Sequence, residues 1–152
     1  MHRYVADEGS GVAKSEIEHV TLAGRTVAIG KGITAEDREL IKKAITQTRP
    51  TEKACYSNAL NMWAYSKRFE YTEGFAVIAD LDVGGIEHAW CMLDGDTLVD
   101  PTNAFDHYFG ASITDPEILR RYLGADLCAG GIIGNHKNQY EFLRARGYVY
   151  NQ

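Results

Sequence analysis

The chain has 152 residues, of which 45% are hydrophobic and 24% are charged, a composition typical of a folded soluble protein and not of a disordered one. Its 16 basic and 21 acidic residues give a net charge of −5, and no cluster of lysine and arginine marks a surface for nucleic acid. The longest apolar stretches, such as residues 75–79 and 128–133, are far shorter than the roughly 20 residues that cross a bilayer. Neither nucleic acid nor a membrane is therefore expected as a partner.

The N-terminal segment carries charges where a secretory signal has its apolar core, which predicts a protein of the cytoplasm. No repeat, low-complexity tract or proline-rich linker divides residues 1–152, so we expect one domain. Residues 1–16 are interpreted as a flexible arm. The β-branched residues on both sides of Ala23-Gly24 predict a small hairpin over residues 17–29.

Two helices are expected next along the chain. A threonine cap followed by apolar residues at helical spacing predicts the first helix over residues 35–47. The second helix should begin near residues 52–54, with Thr51 as its cap, and continue towards Lys67. Cys55 is therefore expected in the first turn of this second helix.

The pattern then changes to short runs of β-forming residues separated by aspartate and glycine, which predicts an antiparallel meander. The predicted strands are Tyr71–Ala79, Gly85–Met92 and Thr97–Asp100. In the last third, helices are expected over residues 117–123 and 138–145, and the glycine-rich residues 124–137 between them are interpreted as a flexible lid or a turn. The expected fold class is α+β, with the cysteine-bearing helix packed on an antiparallel β-sheet and additional helices at the C-terminal end.

The three cysteines, Cys55, Cys91 and Cys128, are an odd number for a disulfide framework, and a reducing compartment keeps them as thiols. Cys55 is the candidate nucleophile, because a helix N-terminus stabilises a thiolate and its free amides can bind the oxyanion of an acyl-transfer intermediate. Cys91 is expected in the core, on the strand face opposite His88, where the two side chains make a poor metal clamp. Cys128 is expected to pack within its loop.

A nucleophilic thiol needs a base, and His88 on the second predicted strand is the candidate. Asp100, at the end of the next strand, is the group expected to orient it. If the connecting loop is residues 93–95, closed by a left-handed glycine, Met92 pairs with Asp96 and His88 lies directly opposite Asp100. A two-residue loop would instead place the two side chains on opposite faces of the sheet.

The other histidines are weaker candidates for the base. His136 is the rival, although a single histidine beside a helix start is more often an exposed cap residue, and the same interpretation applies to His107. His2 and His19 have no catalytic partners in the sequence. Residues 130–134 lack the lysine and the serine or threonine of a phosphate-binding loop, so no nucleotide site is expected there.

Four short motifs resemble the core of a known superfamily. They are Lys53–Ala59 (KACYSNA), Tyr71–Ala76 (YTEGFA), His88–Trp90 (HAW) and Leu98–Thr102 (LVDPT). In this order they resemble the transglutaminase-like, papain-related cysteine enzymes, over about residues 50–103. The resemblance implies a triad of Cys55, His88 and Asp100, carried by a helix packed against an antiparallel sheet.

The same resemblance suggests supporting residues. In the related papain arrangement a glutamine upstream of the cysteine donates to the oxyanion, and Gln47 is the upstream glutamine of this chain. The Cys55 amide, Tyr56 or Trp90 are the alternatives for that role. Glu73 belongs to the tyrosine-glutamate-glycine element that accompanies this core in similar proteins, and it is expected to brace the sheet near the site.

These residues predict a thiol enzyme that forms a thioester between Cys55 and an amide of a protein or peptide, with His88 moving the proton and Asp100 fixing its tautomer. Water as the acceptor would make it a protease or a deamidase, and an amine would make it a transglutaminase. This chemistry needs neither a metal nor an organic cofactor. Two alternatives stay open: an inactive transglutaminase-like module of phage or bacterial origin that binds or inhibits a partner, and an effector that deamidates a host protein.

Overall fold

The computed structural model describes residues 1–78 and 85–148, which form seven strands and five α-helices. The strands are β1 (Ser10–Val12), β2 (Ile17–Leu22), β3 (Arg25–Gly30), β4 (Phe69–Val77), β5 (Ile86–Leu93), β6 (Thr97–Asp100) and β7 (His107–Ile113). The helices are α1 (His2–Glu8), α2 (Ala35–Thr48), α3 (Cys55–Tyr65), α4 (Pro116–Tyr122) and α5 (Glu141–Ala145), and short 3₁₀ helices occupy Lys14–Glu16 and Asp126–Gly130. None of the helices in the described ranges combines the length and the apolar character needed to cross a bilayer.

The strands pair into one antiparallel sheet with the order β1-β7-β4-β5-β6-β3-β2. The predicted meander is present as β4, β5 and β6, which are neighbours in sequence and in the sheet. The predicted end of its first strand, Ala79, lies outside the described residues. The α+β class with an antiparallel sheet is therefore confirmed.

Two elements before the cysteine helix follow directly from local sequence. Strands β2 and β3 form the predicted hairpin, and its turn residues Ala23 and Gly24 both have positive φ, 49° and 79°. Helix α2 begins after Thr34, whose hydroxyl accepts from the Asp37 amide at 3.1 Å. The helix ends at Thr48, and its C-cap residue, Arg49, adopts a left-handed conformation. Both predictions are confirmed.

The start of helix α3 differs from the prediction. The helix begins at Cys55, its N-cap is Ala54, and no side chain caps its first turn. The expected start near residues 52–54 with Thr51 as the cap is wrong, because Lys53 has a φ of 62° that is incompatible with a right-handed helix. Cys55 is consequently the first helical residue, in the turn where backbone amides have no helical acceptor.

Side chains of β4 and β5 alternate between two apolar layers on opposite faces of the sheet. The larger layer lies on the helix side and includes Tyr71, Ala89 and Cys91, and the Cys91 thiol donates to the Ala59 carbonyl of α3 at 3.4 Å. The smaller layer on the other face consists of Ile17, Ala28, Ala76, Trp90, Leu98, Phe105 and Tyr108. Cys91 therefore lies in the core, on the face opposite His88, as predicted.

The first 16 residues belong to the folded structure, so their interpretation as a flexible arm is wrong. Helix α1 buries Tyr4 and Val5, and β1 pairs with β7. Strand β7 itself was not predicted, because Gly110 and Ala111 weaken the β-forming pattern of its sequence. It pairs with β4 along seven residue pairs, which extends the sheet beyond the meander.

Two glycines allow close packing in the middle of the sheet. A Cβ at Gly110 would lie 2.6 Å from Cη2 of Trp90, and a Cβ at Gly74 would lie 2.1 Å from the Phe109 carbonyl oxygen. Neither position has room for a side chain. The Trp90 ring therefore lies directly against the backbone of β7.

The C-terminal third is helical but is more irregular than predicted. Helix α4 agrees with the predicted residues 117–123 to within one residue, and the Asp115 side chain caps it. Helix α5 covers only the end of the predicted residues 138–145, because Gln139 and Tyr140 both have a φ of 58°. The glycine-rich segment contains a 3₁₀ helix and turns, and it is not an open lid, since several of its residues are fully buried: Ile132, Ile133 and Asn135.

Candidate active site

The hairpin turn between β5 and β6 differs from the predicted one. Asp94 and Gly95 have positive φ angles of 54° and 80°, and the Asp96 amide donates to the Leu93 carbonyl at 3.2 Å, which is typical of a type I′ turn. Pairing nevertheless begins with Leu93 and Thr97. Asp96 is therefore an extra residue on one strand, as in a β-bulge.

The register is shifted by two residues from the prediction. Met92 pairs with Leu98 and not with Asp96, so the predicted loop and the direct opposition of His88 and Asp100 are wrong. A shift of two residues preserves the face to which each side chain points. The two side chains therefore still lie on the same face of the sheet.

His88 and Asp100 meet where β5 and β6 separate. The pairing of these strands covers three residue pairs and ends at Cys91 and Val99. Beyond that point the two side chains span the gap, with His88 Nε2 and Asp100 Oδ2 2.7 Å apart. Only 3% of the His88 surface and none of the Asp100 surface is exposed, so water does not compete for this contact.

Asp100 accepts hydrogen bonds on both carboxylate oxygens. Oδ2 accepts from the Tyr108 hydroxyl at 2.7 Å as well as from His88, and Oδ1 accepts from the amides of Thr102 and Asn103 at 3.0 and 3.1 Å. Four donors compensate for the burial of the carboxylate and fix its orientation. The carboxylate in turn holds the imidazole in one position.

The Cys55 thiol reaches the other side of the His88 ring, where it is a side-chain hydrogen-bond partner of the imidazole. Because Nε2 is bonded to Asp100, Nδ1 is the ring nitrogen left to face the sulfur. Cys55 is half-buried, whereas Cys91 and Cys128 are buried. The structure thus brings the three predicted residues, Cys55, His88 and Asp100, into one chain of contacts.

The charge state of His88 follows from these contacts. Burial lowers its pKa, but the charge of Asp100 and the hydrogen bonds to Asp100 and Cys55 together raise the pKa to about 9. The ring is therefore an imidazolium at neutral pH. A positive charge and a helix N-terminus both favour a thiolate over a thiol. Cys55 lies beside the His88 ring and is the first residue of helix α3.

The first turn of α3 also offers free backbone donors. The first hydrogen bond into this turn runs from the Asn58 amide to the Ala54 carbonyl at 2.8 Å, and no side chain caps the helix. The amides of Cys55, Tyr56 and Ser57 therefore have no helical acceptor. Donors of this kind, aimed at a reacting carbonyl, form the oxyanion holes of acyl-transfer enzymes.

The other residues considered for the oxyanion differ in their positions. Gln47 is exposed in the last turn of α2 and has no hydrogen bond to Cys55 or His88 in the described structure, so it is not brought to the site. The Trp90 ring stacks on His88 with 6.1 Å between centroids, and only 1% of its surface is exposed. Trp90 supports the imidazole from within the core. Tyr56 follows Cys55 in the chain, is half-buried and interacts with the Cys55 side chain.

Glu73 contacts a different part of the chain from the one expected. Its carboxylate accepts from the amides of Ile132 and Ile133 at 2.6 and 2.9 Å. Glu73 therefore joins β4 to the glycine-rich segment and does not brace one strand against another. Nothing in the local sequence around Glu73 indicated this long-range contact.

Asn58, which the sequence analysis missed, connects the cysteine helix with the aspartate loop. It is 3% exposed, and its Nδ2 donates to the Thr51 carbonyl and to Thr102 Oγ1, both at 2.8 Å. Its Oδ1 accepts from the Thr51 amide at 3.1 Å. The available signal was its spacing, because a residue three positions after Cys55 lies on the same side of the helix.

Arg25 connects strand β3 with the segment before the cysteine helix and with the aspartate loop. Its guanidinium donates to the carbonyls of Pro50, Pro101 and Thr102 at 2.9, 3.1 and 3.3 Å. The five donors of a guanidinium suit such a set of backbone acceptors. A cavity of about 430 Å³ borders these segments, lined by Gly24, Arg25, Thr26, Glu52, Lys53, Thr102 and Asn103.

The remaining cysteines and histidines have no hydrogen bond to His88 or Asp100 within the described residues, although Cys128 Sγ accepts from the Ser57 hydroxyl of α3 at 3.7 Å. Cys128 is buried in the second 3₁₀ helix, His19 bonds the Phe105 carbonyl at 2.8 Å, and His107 and His136 are exposed. Within residues 1–78 and 85–148, no group of three histidine, cysteine, aspartate or glutamate side chains is placed to hold a metal ion.

The fold and the site define an α+β protein in which a helix-terminal thiol, a buried imidazole and a buried carboxylate lie in series. Comparison of the chain with protein-family models, with curated protein sequences and with solved structures finds no match. Any assignment of function therefore depends on the chemistry of these residues.

Proposed function

We propose that this protein is a cysteine-dependent acyltransferase or hydrolase that attacks amides through Cys55. The observation that carries the proposal is the chain of contacts from Cys55 through His88 to Asp100. An imidazole held by a buried carboxylate can stabilise a thiolate and also deliver a proton to a leaving group. The order nucleophile, base, acid is that of the transglutaminase-like enzymes which the motifs resemble.

In the acylation step, the Cys55 thiolate attacks the amide carbonyl carbon and a C–S bond forms, while amides in the first turn of α3 bind the oxyanion. His88 then gives its proton to the amine nitrogen, the C–N bond breaks and the amine leaves. The product is a thioester on Cys55. Asp100 keeps the remaining ring proton on Nε2, which leaves Nδ1 free to accept a proton in the next step.

In the second step, His88 Nδ1 takes a proton from the incoming water or amine, which adds to the thioester carbonyl. The C–S bond breaks, and the electron pair returns to sulfur as the Cys55 thiolate. Water yields a carboxylic acid, which is the outcome of a protease or a deamidase. An amine yields a new amide, which is the outcome of a transglutaminase.

A glutamine carboxamide of a protein or peptide is the proposed donor. Cys55 is half-buried, so the scissile carbonyl has to be carried to the sulfur on an extended group. The glutamine side chain places its carboxamide at the end of two methylene groups, and it exposes that carboxamide without unfolding the substrate backbone. Backbone peptide bonds are the second substrate class that the same chemistry accepts.

The test uses glutamine-containing peptides together with a labelled primary amine, analysed by mass spectrometry. We expect a thioester adduct on Cys55 after acid quenching, and one of three products: amine incorporation, conversion of glutamine to glutamate, or peptide cleavage. The Cys55→Ser variant should lose both adduct and product. Cys91→Ser should retain them, because Cys91 lies in the core on the face of the sheet opposite His88.

An absence of adduct and product for the wild-type protein across such a peptide set would contradict the proposal. The same variants distinguish the alternative of a binding or inhibitory module. A module that acts through its surface alone keeps its function in Cys55→Ser, whereas an acyl-transfer enzyme loses it.

A further inference from the structure

Glu73 is a buried carboxylate that the proposed mechanism does not use. Only 1% of its surface is exposed. Its Oε1 accepts from the Ile133 amide, and its Oε2 accepts from the Ile132 amide and from the Tyr71 hydroxyl. A single side chain of the sheet therefore binds two consecutive amides of the glycine-rich segment.

The segment held in this way lies against the residue that follows Cys55. Gly131 has a φ of +75°, and a Cβ at this position would lie 2.7 Å from Cε1 of Tyr56. The segment is closed on its other side by Asn135, whose Nδ2 donates to the Gly131 carbonyl at 2.6 Å. Glu73 and Tyr56 therefore both contact residues 131–133, and Tyr56 is the neighbour of the thiol-bearing Cys55.

The chemistry of the contact requires a carboxylate. An ionised carboxylate is only an acceptor, so it satisfies the two amides and the Tyr71 hydroxyl at the same time. A glutamine in the same place would direct an N–H₂ group towards at least one of these donors. Glutamate at position 73 can therefore accept from all three donors, whereas glutamine, which has the same shape, cannot.

The surroundings of Glu73 do not otherwise favour its charge. The titratable groups that interact with it from the neighbouring elements are Tyr56, Tyr71, Glu87, Tyr122 and Cys128. None of these groups is a cation. Burial raises the pKa of Glu73 to about 7, although the three hydrogen bonds lower it.

The raised pKa has a consequence for stability. An acid whose pKa is higher in the folded than in the unfolded state contributes stability below its unfolded pKa and loses that contribution as the pH rises through its folded pKa. Ionised Glu73 therefore opposes folding at and above neutral pH. A group that is costly for stability and still fully bonded is typical of a functional role.

We propose that Glu73 is a positioning residue of the candidate active site: its carboxylate holds residues 131–133 against Tyr56, the residue that follows Cys55, and thereby limits access to the half-buried thiol. This inference rests on the proposed thiol chemistry and extends it to the selection of the acyl donor. A segment held rigidly beside the half-buried thiol admits a slender acyl donor such as a glutamine side chain and restricts bulky groups. Release of the segment increases access to the thiol without altering the thiol itself.

The test compares two alkylating reagents of different size, iodoacetamide and an iodoacetamide that carries a naphthyl group. Both react with the same thiolate, so the ratio of their rates at Cys55 reports access to the thiol and not its ionisation. We expect Glu73→Gln to raise the ratio of the naphthyl-reagent rate to the iodoacetamide rate about threefold or more. This is the effect expected from the loss of one hydrogen bond to the segment. Glu70→Gln, the same change on the same strand, is the matched control and should leave the ratio unchanged.

The pH profile separates positioning from a general loss of structure. In the wild-type protein the ratio should rise as the pH falls through about 7, the pKa of Glu73, and in Glu73→Gln it should be high at all pH values. Hydrogen exchange of the Ile132 and Ile133 amides should be faster in the variant. If Glu73→Gln does not fold, Tyr71→Phe replaces it in the test. The Tyr71 hydrogen bond lowers the pKa of Glu73, so its loss should move the pH at which the ratio of rates changes to a higher value.

A ratio that is the same in wild type and Glu73→Gln at every pH, while the two amides exchange faster, would overturn the positioning role. Unchanged amide exchange would overturn it as well. A failure of the proposed function would be seen in a different measurement. In that case Cys55 of the wild-type protein would react slowly even with iodoacetamide, the small reagent.

Discussion

Replacing His88 with alanine is expected to lower the rate at which iodoacetamide labels Cys55 at neutral pH by about tenfold or more. An ordinary cysteine is only about 3% thiolate at pH 7, so an adjacent imidazolium that converts it fully to thiolate increases the reactive fraction by about thirtyfold. The lower nucleophilicity of a stabilised thiolate reduces this gain to about tenfold. The rate is measured by mass spectrometry of the labelled Cys55 peptide.

The control for this prediction is His136→Ala, which removes an exposed imidazole and should leave the labelling rate unchanged. Thermal unfolding of each variant shows whether the fold is retained. An unchanged rate at Cys55 in folded His88→Ala protein would mean that the imidazole does not activate the thiol.

Replacing Asp100 with asparagine is expected to lower the pKa of His88 from about 9 to its ordinary value of about 6.5 or below. The burial of His88 lowers this pKa, and the Asp100 charge is the largest influence that opposes it. Without the carboxylate the ring becomes neutral at pH 7, and the thiol loses its counter-charge. The titration of the His88 ring is followed directly by NMR.

Asp100→Asn should also change the pH dependence of stability. A histidine whose pKa is raised by folding contributes stability that is present below its unfolded pKa of about 6.5 and is lost as the pH rises through the folded value of about 9. This contribution reaches up to about 3 kcal/mol for a shift of this size, and it should disappear in Asp100→Asn. Asp96→Asn, in the exposed hairpin turn, is the matched control, and a His88 pKa that stays near 9 in Asp100→Asn would contradict the prediction.

The relation between His88 and Asp100 shows what a sequence can specify about a site. Whether the two side chains share a face depends only on whether the hairpin loop has an odd or an even number of residues. A three-residue, glycine-containing loop was enough to predict that property. The exact pairing was wrong by two residues, because it depends on the φ angle of Asp94, which the sequence does not reveal. The two residues meet where the strands separate and not where they pair.

The start of the cysteine helix illustrates a second limit. Thr51 is of a residue type that commonly caps helices. Lys53, however, adopts a left-handed backbone conformation, and the main chain of Thr51 is bonded to the Asn58 side chain. Tertiary contacts thus displaced a local preference. The displacement leaves the first turn without a side-chain cap, which is the feature that makes its amides available.

Contacts between distant segments were the part of the structure that local patterns could not predict. Strand β7 has a weak β pattern and is held by pairing on both of its sides, with β1 and β4. The contact of Glu73 with the glycine-rich segment joins residues about sixty positions apart, and Arg25 joins three segments through backbone carbonyls alone. Such contacts depend on the assembled fold and leave no periodicity in the sequence.

The most direct test of the thiol site is the pH profile of iodoacetamide labelling at Cys55 in the wild-type protein. An ordinary thiol has a pKa of about 8.5, so its thiolate content falls by about a hundredfold between pH 8 and pH 6. We expect the rate at Cys55 to fall by less than about tenfold over the same interval, because an imidazolium and a helix N-terminus beside a sulfur both favour the reactive thiolate form. A fall as steep as that of free cysteine would contradict an activated nucleophile at this position.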